Sequence, residues 1–172
     1  MKRLSFIFFF AGFVLNASAQ TTNLDTLPPY KKNPQIPDFS IQLTDSTWFN
    51  KEQLPKSEFT AIINFDPECG HCQNTVKELA ASMIYLKNVF FVFVAYKSIP
   101  EIKEFYHYYG LEKFTNIRMG RDPKYFVPSF FRVTANPFVA VYNQSGTLAR
   151  VFDPALNTTI EVPLLLSMVN KN

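Results

Sequence analysis

The chain holds two cysteines in 172 residues, and only Gly70 and His71 separate them, in the tetrad Cys69-Gly70-His71-Cys72. Side chains three positions apart fall on one side of a helical turn, close enough for their sulfurs to bridge. A bridge that short closes a loop too small to add much chain-entropy stabilisation, so the pair points to chemistry rather than to stapling. If a helix starts at Cys69, the free backbone N–H groups and the helix dipole favour a thiolate there, while Cys72 lies one turn inside and better shielded. The expected roles follow: Cys69 attacks a disulfide and Cys72 resolves the mixed disulfide. Gly70 and His71 modulate the pair, His71 by adding a cation at mildly acidic pH. Glu68, with Asp66 nearby, brings negative charge that opposes that effect. A zinc half-site would need two further ligands, and the only other histidine is His107, so no metal is expected. A purely structural bridge is the remaining alternative use of the pair. Thiol exchange calls for no cofactor.

Such a pair must be positioned by a strand running into a helix. Phe59 to Phe65 is a short apolar run of buried-strand type, and from about Cys69 to Leu86 apolar residues Val76, Leu79, Ala80, Met83 and Leu86 recur at helical spacing. Before this unit, Phe39, Ile41 and Leu43 alternate as a strand, Thr44-Asp45-Ser46 turns, and Thr47-Trp48-Phe49 returns as a hairpin. After it, Val89 to Ala95 is almost wholly apolar, as suits a central strand covered on both faces. Pro100 opens a helix that closes at Gly110. Pro123 and Pro128 restrict the segment from Asp122 to Val133 to short helical pieces. Phe138 to Tyr142 and Thr147 to Phe152 form a second hairpin around Asn143-Gln144-Ser145-Gly146. A last helix is expected from a cap at Thr158 or Thr159 to about Val169. The order hairpin, strand, helix, strand, helix, variable region, hairpin, helix predicts an α/β fold, a central mixed β-sheet flanked by helices with an N-terminal β-hairpin extension.

The first residues carry an address. Lys2 and Arg3 precede an apolar run from Leu4 to Leu15, and Ala17-Ser18-Ala19 fits a small-x-small cleavage site, so residues 1–19 read as a secretory signal peptide. The run is shorter than the roughly 20 apolar residues of a membrane span, so no stable membrane insertion is expected after cleavage; an uncleaved, periplasm-facing tether is the alternative. Residues 20–37, with Pro28, Pro29, Pro34 and Pro37, read as an extended linker, and residues 38–172 as one domain of ordinary size. Basic residues number 17 against 14 acidic ones, and Lys2 and Arg3 lie in the leader. Without a basic stripe, nothing points to nucleic acid. An exported domain that used disulfides structurally would scatter several cysteines along its length, and this one does not.

Asp38-Phe39 through Leu79, with Asn64-Phe65 leading into Cys69-Gly70-His71-Cys72, resembles the thioredoxin fold of the periplasmic TlpA/ResA group. Asn136-Pro137-Phe138-Val139-Ala140-Val141-Tyr142, followed by Gly146, resembles that family's proline, strand and turn. The likeness runs from about Asp38 to the C-terminus and is least defined between Lys103 and Phe131. The tetrad itself is the one used by protein disulfide isomerases. The resemblance implies that Pro137 is a cis proline beside the sulfurs and that Asn136 offers its backbone to an extended substrate peptide, a strand-addition mode that reads shape. It also implies a periplasmic thiol–disulfide oxidoreductase, acting as reductant, isomerase or oxidant. Its partners would be cysteine-containing exported proteins and an upstream redox protein. Two departures stand out: the tryptophan that thioredoxins place before the first cysteine is Glu68, and their buried acid six residues upstream is Ile63. The role of that acid falls to no residue, with Asp66 and Glu68 as candidates. The rival reading from another class is a non-catalytic thioredoxin-like module that binds a peptide or partner.

Overall fold

The computed structural model describes residues 27–170, so the proposed leader lies outside the described residues. Among these residues, seven strands form one mixed sheet. They are β1 (Ser40–Leu43), β2 (Trp48–Asn50), β3 (Phe59–Asn64), β4 (Val89–Ala95), β5 (Ile117–Arg121), β6 (Phe138–Asn143) and β7 (Leu148–Phe152). Their order across the sheet is β2-β1-β5-β4-β3-β6-β7. β3, β4 and β5 run parallel, while β6 and β7 on one side and β1 and β2 on the other add antiparallel. Every residue of β4 is buried, which is why it reads as an unbroken apolar run.

Among the described residues, five α-helices cover the sheet: α1 (Pro29–Lys32), α2 (Gly70–Ser82), α3 (Ile99–Tyr108), α4 (Phe126–Phe131) and α5 (Val162–Val169). The pleat divides β3 in two. Ala61 and Ile63 pack with Val76 and Leu79 of α2, Ile102 and Phe105 of α3 and Leu165 of α5. Ile62, from the other face, packs with Tyr30 of α1 and with Val127 and Phe131 of α4.

Three expectations are corrected. Residues 28–37 are not an extended linker: Tyr30 is buried against Phe131 and Phe138. The backbone of the same segment is tied down, Ile36 N–H donating to the Gly146 carbonyl and Leu148 N–H to that of Pro34. The prolines shape this segment along the sheet's edge, and the single aromatic among polar residues anchors it. β5 was not expected at all, since its pattern is interrupted by Gly120 and carries Arg118 and Arg121. The gap is steric, because a Cβ at Gly120 would lie 2.5 Å from the Gln42 carbonyl oxygen. Finally, α5 begins at Val162 with Glu161 as its N-cap, and neither threonine caps it. The Thr158 hydroxyl is engaged instead with the backbone of Asp153, accepting from its N–H and donating to its carbonyl.

α3 starts where Pro100 suggested, but its anchor is Ser98. The Ser98 hydroxyl accepts from Glu101 N–H, and the Glu101 carboxylate accepts from Ser98 N–H at 2.9 Å, a reciprocal capping box. Gly110 ends the helix at φ 60°, a left-handed conformation that glycine adopts at no steric cost.

Candidate active site

The parallel strands β3 and β4 deliver their C-terminal ends to one edge of the sheet, and the chemistry gathers there. β3 stops at Asn64, the chain crosses Asp66 and Pro67, and Cys69 becomes the N-cap of α2. The turn is fixed by its own backbone: Cys69 N–H donates to the Asp66 carbonyl and Gln73 N–H to the Cys69 carbonyl, both at 3.0 Å. The Gln73 amide also donates to the Pro67 carbonyl at 2.9 Å. This is the helix-start position expected for the attacking thiol, with the first free N–H groups of α2 beside it.

Both cysteines are free thiols, Cys69 half-buried and Cys72 buried. Burial pushes the Cys72 thiol well above its ordinary range, reinforced by the neighbouring Cys69 and the Asp66 charge and opposed by a backbone hydrogen bond from Asp66. At neutral pH, Cys72 is therefore held as the protonated, shielded partner. Gly70 faces open space, with nothing within 4 Å of where a Cβ would lie, and His71 is exposed on the same first turn. Neither obstructs approach to Cys69.

The Asn136–Pro137 peptide bond is cis. The Asn136 carbonyl lies 3.7 Å from the Cys69 sulfur, which donates to it. Asn136 is held in turn by Asn64, whose side-chain amide donates to the Asn136 Oδ1 at 2.8 Å. The last residue of β3 thus orients the loop that faces the thiol. Ile63, at the position of the thioredoxin acid, is buried in apolar surroundings. Among the described residues the buried carboxylates are Asp122 and Asp153, and each accepts from backbone N–H groups of its own turn.

Sequence reasoning missed Lys97. Its ammonium pairs with the Glu68 carboxylate and lies 3.7 Å from that of Asp66. Glu68 is therefore part of a charge cluster with its own cation rather than an unopposed negative neighbour of Cys69. The hydrogen bond to Glu68, then the Asp66 charge, raise the Lys97 pKa and keep it cationic. The signal was available: Lys97 is the first charged residue past β4, and β4 pairs in parallel with the strand that leads to Cys69. Groups at the carboxyl ends of adjacent parallel strands share one crevice. Among the described residues, no group of three or more His, Cys, Asp or Glu is placed to hold a metal ion.

No family model matches the chain, and no curated protein does. Solved structures do match. Mycobacterium tuberculosis DsbF, solved in mixed oxidised and reduced forms, superposes with TM-score 0.63 at 23% identity, covering 77% of this chain and 92% of its own. A secreted M. tuberculosis disulfide oxidoreductase homologous to E. coli DsbE gives TM-score 0.63 at 19% identity, covering 77% and 94%. A peroxiredoxin-like protein from Aquifex aeolicus gives TM-score 0.65 at 14% identity, covering 80% and 84%. The protein has a thioredoxin fold, with a CxxC pair at the start of the helix that follows β3. One of these three structural neighbours is a disulfide oxidoreductase by name, and another is peroxiredoxin-like.

Proposed function

We propose that this protein is an exported thiol–disulfide oxidoreductase that exchanges disulfides with cysteine-containing exported proteins through Cys69 and Cys72. The observation that carries the reading is the half-exposed Cys69 at the N-cap of α2, facing the Asn136 carbonyl at 3.7 Å, with Cys72 buried one turn on. In the reduced protein the Cys69 thiolate attacks one sulfur of a substrate disulfide, forming a mixed disulfide and releasing the other substrate sulfur as a thiolate. Cys72 then attacks the Cys69 sulfur. Its proton passes to solvent or the leaving sulfur, and the second substrate thiol departs from an oxidised Cys69–Cys72 pair. The Asn136–Pro137 loop supports an extended substrate by strand addition. An upstream redox protein would reset the pair.

Export rests on the leader at residues 1–19, with the mature chain starting at Gln20 in the periplasm. Among the described residues no helix is long and apolar enough to cross a membrane.

Insulin reduction in dithiothreitol tests the activity. The protein is expected to accelerate the appearance of turbidity, and Cys69→Ser to abolish the acceleration. Cys72→Ser is expected to accumulate mixed disulfides with envelope proteins, resolved as reducible bands on a gel. If the wild type leaves insulin turbidity at the dithiothreitol rate and Cys72→Ser traps nothing, the fold serves as a binding module instead.

A further inference from the structure

Tyr125 adopts φ 54° and ψ 32°, the left-handed region that a Cβ disfavours and glycine occupies freely. The turn that imposes this conformation is well built. The buried Asp122 carboxylate accepts from Lys124 N–H at 3.2 Å and from Val127 N–H at 2.7 Å, and Tyr125 N–H donates to the Asp122 carbonyl at 3.2 Å. Yet the residue kept there is a tyrosine, and half of its surface stays exposed. Strain retained at a half-exposed aromatic motivates a functional explanation.

Its ring meets that of Tyr96, also exposed, edge to face, with centroids 5.2 Å apart and planes at 90°. The Arg121 guanidinium packs over the Tyr96 ring at 5.8 Å. Both tyrosines line a cleft of about 230 Å³, together with Pro128, Asn64, Lys97 and Asn136. Asn136 is the residue whose carbonyl faces the Cys69 sulfur, so the cleft adjoins the reacting atom. That volume lies below the roughly 300–1,000 Å³ of small-molecule sites and suits one side chain of a larger substrate.

We propose that Tyr96 and Tyr125 form a specificity subsite that takes an aromatic or long apolar side chain adjacent to the cysteine of an extended polypeptide substrate. The inference rests on the oxidoreductase reading above. The Lys97 ammonium that lines the cleft is already met by Glu68 and by Asp66, which lines it too, so that lysine is not free for an acidic side chain. The tyrosine rings and Pro128 supply apolar surface, and the ring edges and faces favour an aromatic guest. Tyrosines give this contact at little cost in side-chain freedom. The Asn64 and Asn136 amides border the same cleft, where they can meet the polar backbone of the extended chain.

The test uses two disulfide-linked peptides that differ only in Phe or Ala next to the cysteine, reduced catalytically by the protein with dithiothreitol as the terminal reductant. Each turnover oxidises the Cys69–Cys72 dithiol to a disulfide and yields two peptide thiols; dithiothreitol restores the dithiol. The wild type is expected to favour the Phe peptide in kcat/KM by about five- to tenfold. Tyr125→Gly and Tyr96→Ala should each bring that ratio towards one. Because glycine accepts φ 54°, the thermal midpoint of Tyr125→Gly should not fall. Equal rates on the two peptides in the wild type, or a preference that survives both substitutions, would overturn the subsite. So would a marked drop in the Tyr125→Gly midpoint, which would make Tyr125 a packing residue. Turnover of neither peptide would overturn the oxidoreductase reading and the subsite with it.

Discussion

Lys97 pairs with Glu68 and stands 3.7 Å from Asp66, at the rim of the cysteine site. The ammonium thus offsets two negative charges just upstream of Cys69. Lys97→Met is therefore expected to slow alkylation of Cys69 by iodoacetamide at pH 7 several-fold, and adding Glu68→Gln should restore part of the rate. Mass spectrometry of the labelled protein measures this site by site; an unchanged rate in Lys97→Met would mean that the cluster is screened from the sulfur. At this scale the cysteines were legible because their spacing alone specifies a helical turn. The Cys69–Asn136 contact was legible only through family resemblance, since the two residues are 67 positions apart. Lys97 and Tyr125 were not read out, because their relevance depends on which strands are neighbours.

At the scale of elements, the strand missed in the sequence is the one that joins two parts of the sheet. β5 pairs in parallel with β4 and antiparallel with β1, so it carries the strand pairing between the N-terminal hairpin and the central strands. Gly120 lies opposite Leu43 in that pairing. A Cβ there would sit 2.5 Å from the Gln42 carbonyl oxygen and 2.9 Å from its carbon, both backbone atoms that cannot swing aside. Gly120→Ala is thus expected to loosen the hairpin and lower stability by about 1–3 kcal/mol, measured by urea unfolding. A midpoint equal to that of the wild type would show that β1 can shift without loss. The hairpins, β3, β4 and α3 were readable because period, turn residues and caps agree locally. β5 was obscured because its glycine answers to a neighbour far away in sequence, and α1 because a single buried tyrosine leaves no period to detect.

At the scale of the whole molecule, burial of the reduced active site couples folding to pH. The Cys72 thiol is pushed up by desolvation among the residues packed between sheet and helices, and burial likewise raises the phenol of Tyr142 on the opposite face. A group whose folded-state pKa lies above its unfolded value keeps its proton in the folded chain while the unfolded chain releases it. Its stabilisation is complete below the unfolded pKa and is lost as pH rises towards the folded one. For Cys72 the loss begins near the ordinary thiol value of about 8.5; for Tyr142 it begins near 10. Between pH 7.5 and pH 10, reduced wild-type protein should therefore lose about 1–2 kcal/mol more stability than Cys72→Ser, which has no proton to release there. Above pH 10 both proteins should decline more steeply as Tyr142 contributes to both, with the wild type still falling faster while Cys72 keeps its proton in the fold. Urea unfolding across this range, with reductant present, makes the comparison. Parallel pH profiles for the two proteins below pH 10 would mean that Cys72 is reached by solvent in the reduced fold, and would remove the basis for treating it as the shielded, resolving thiol.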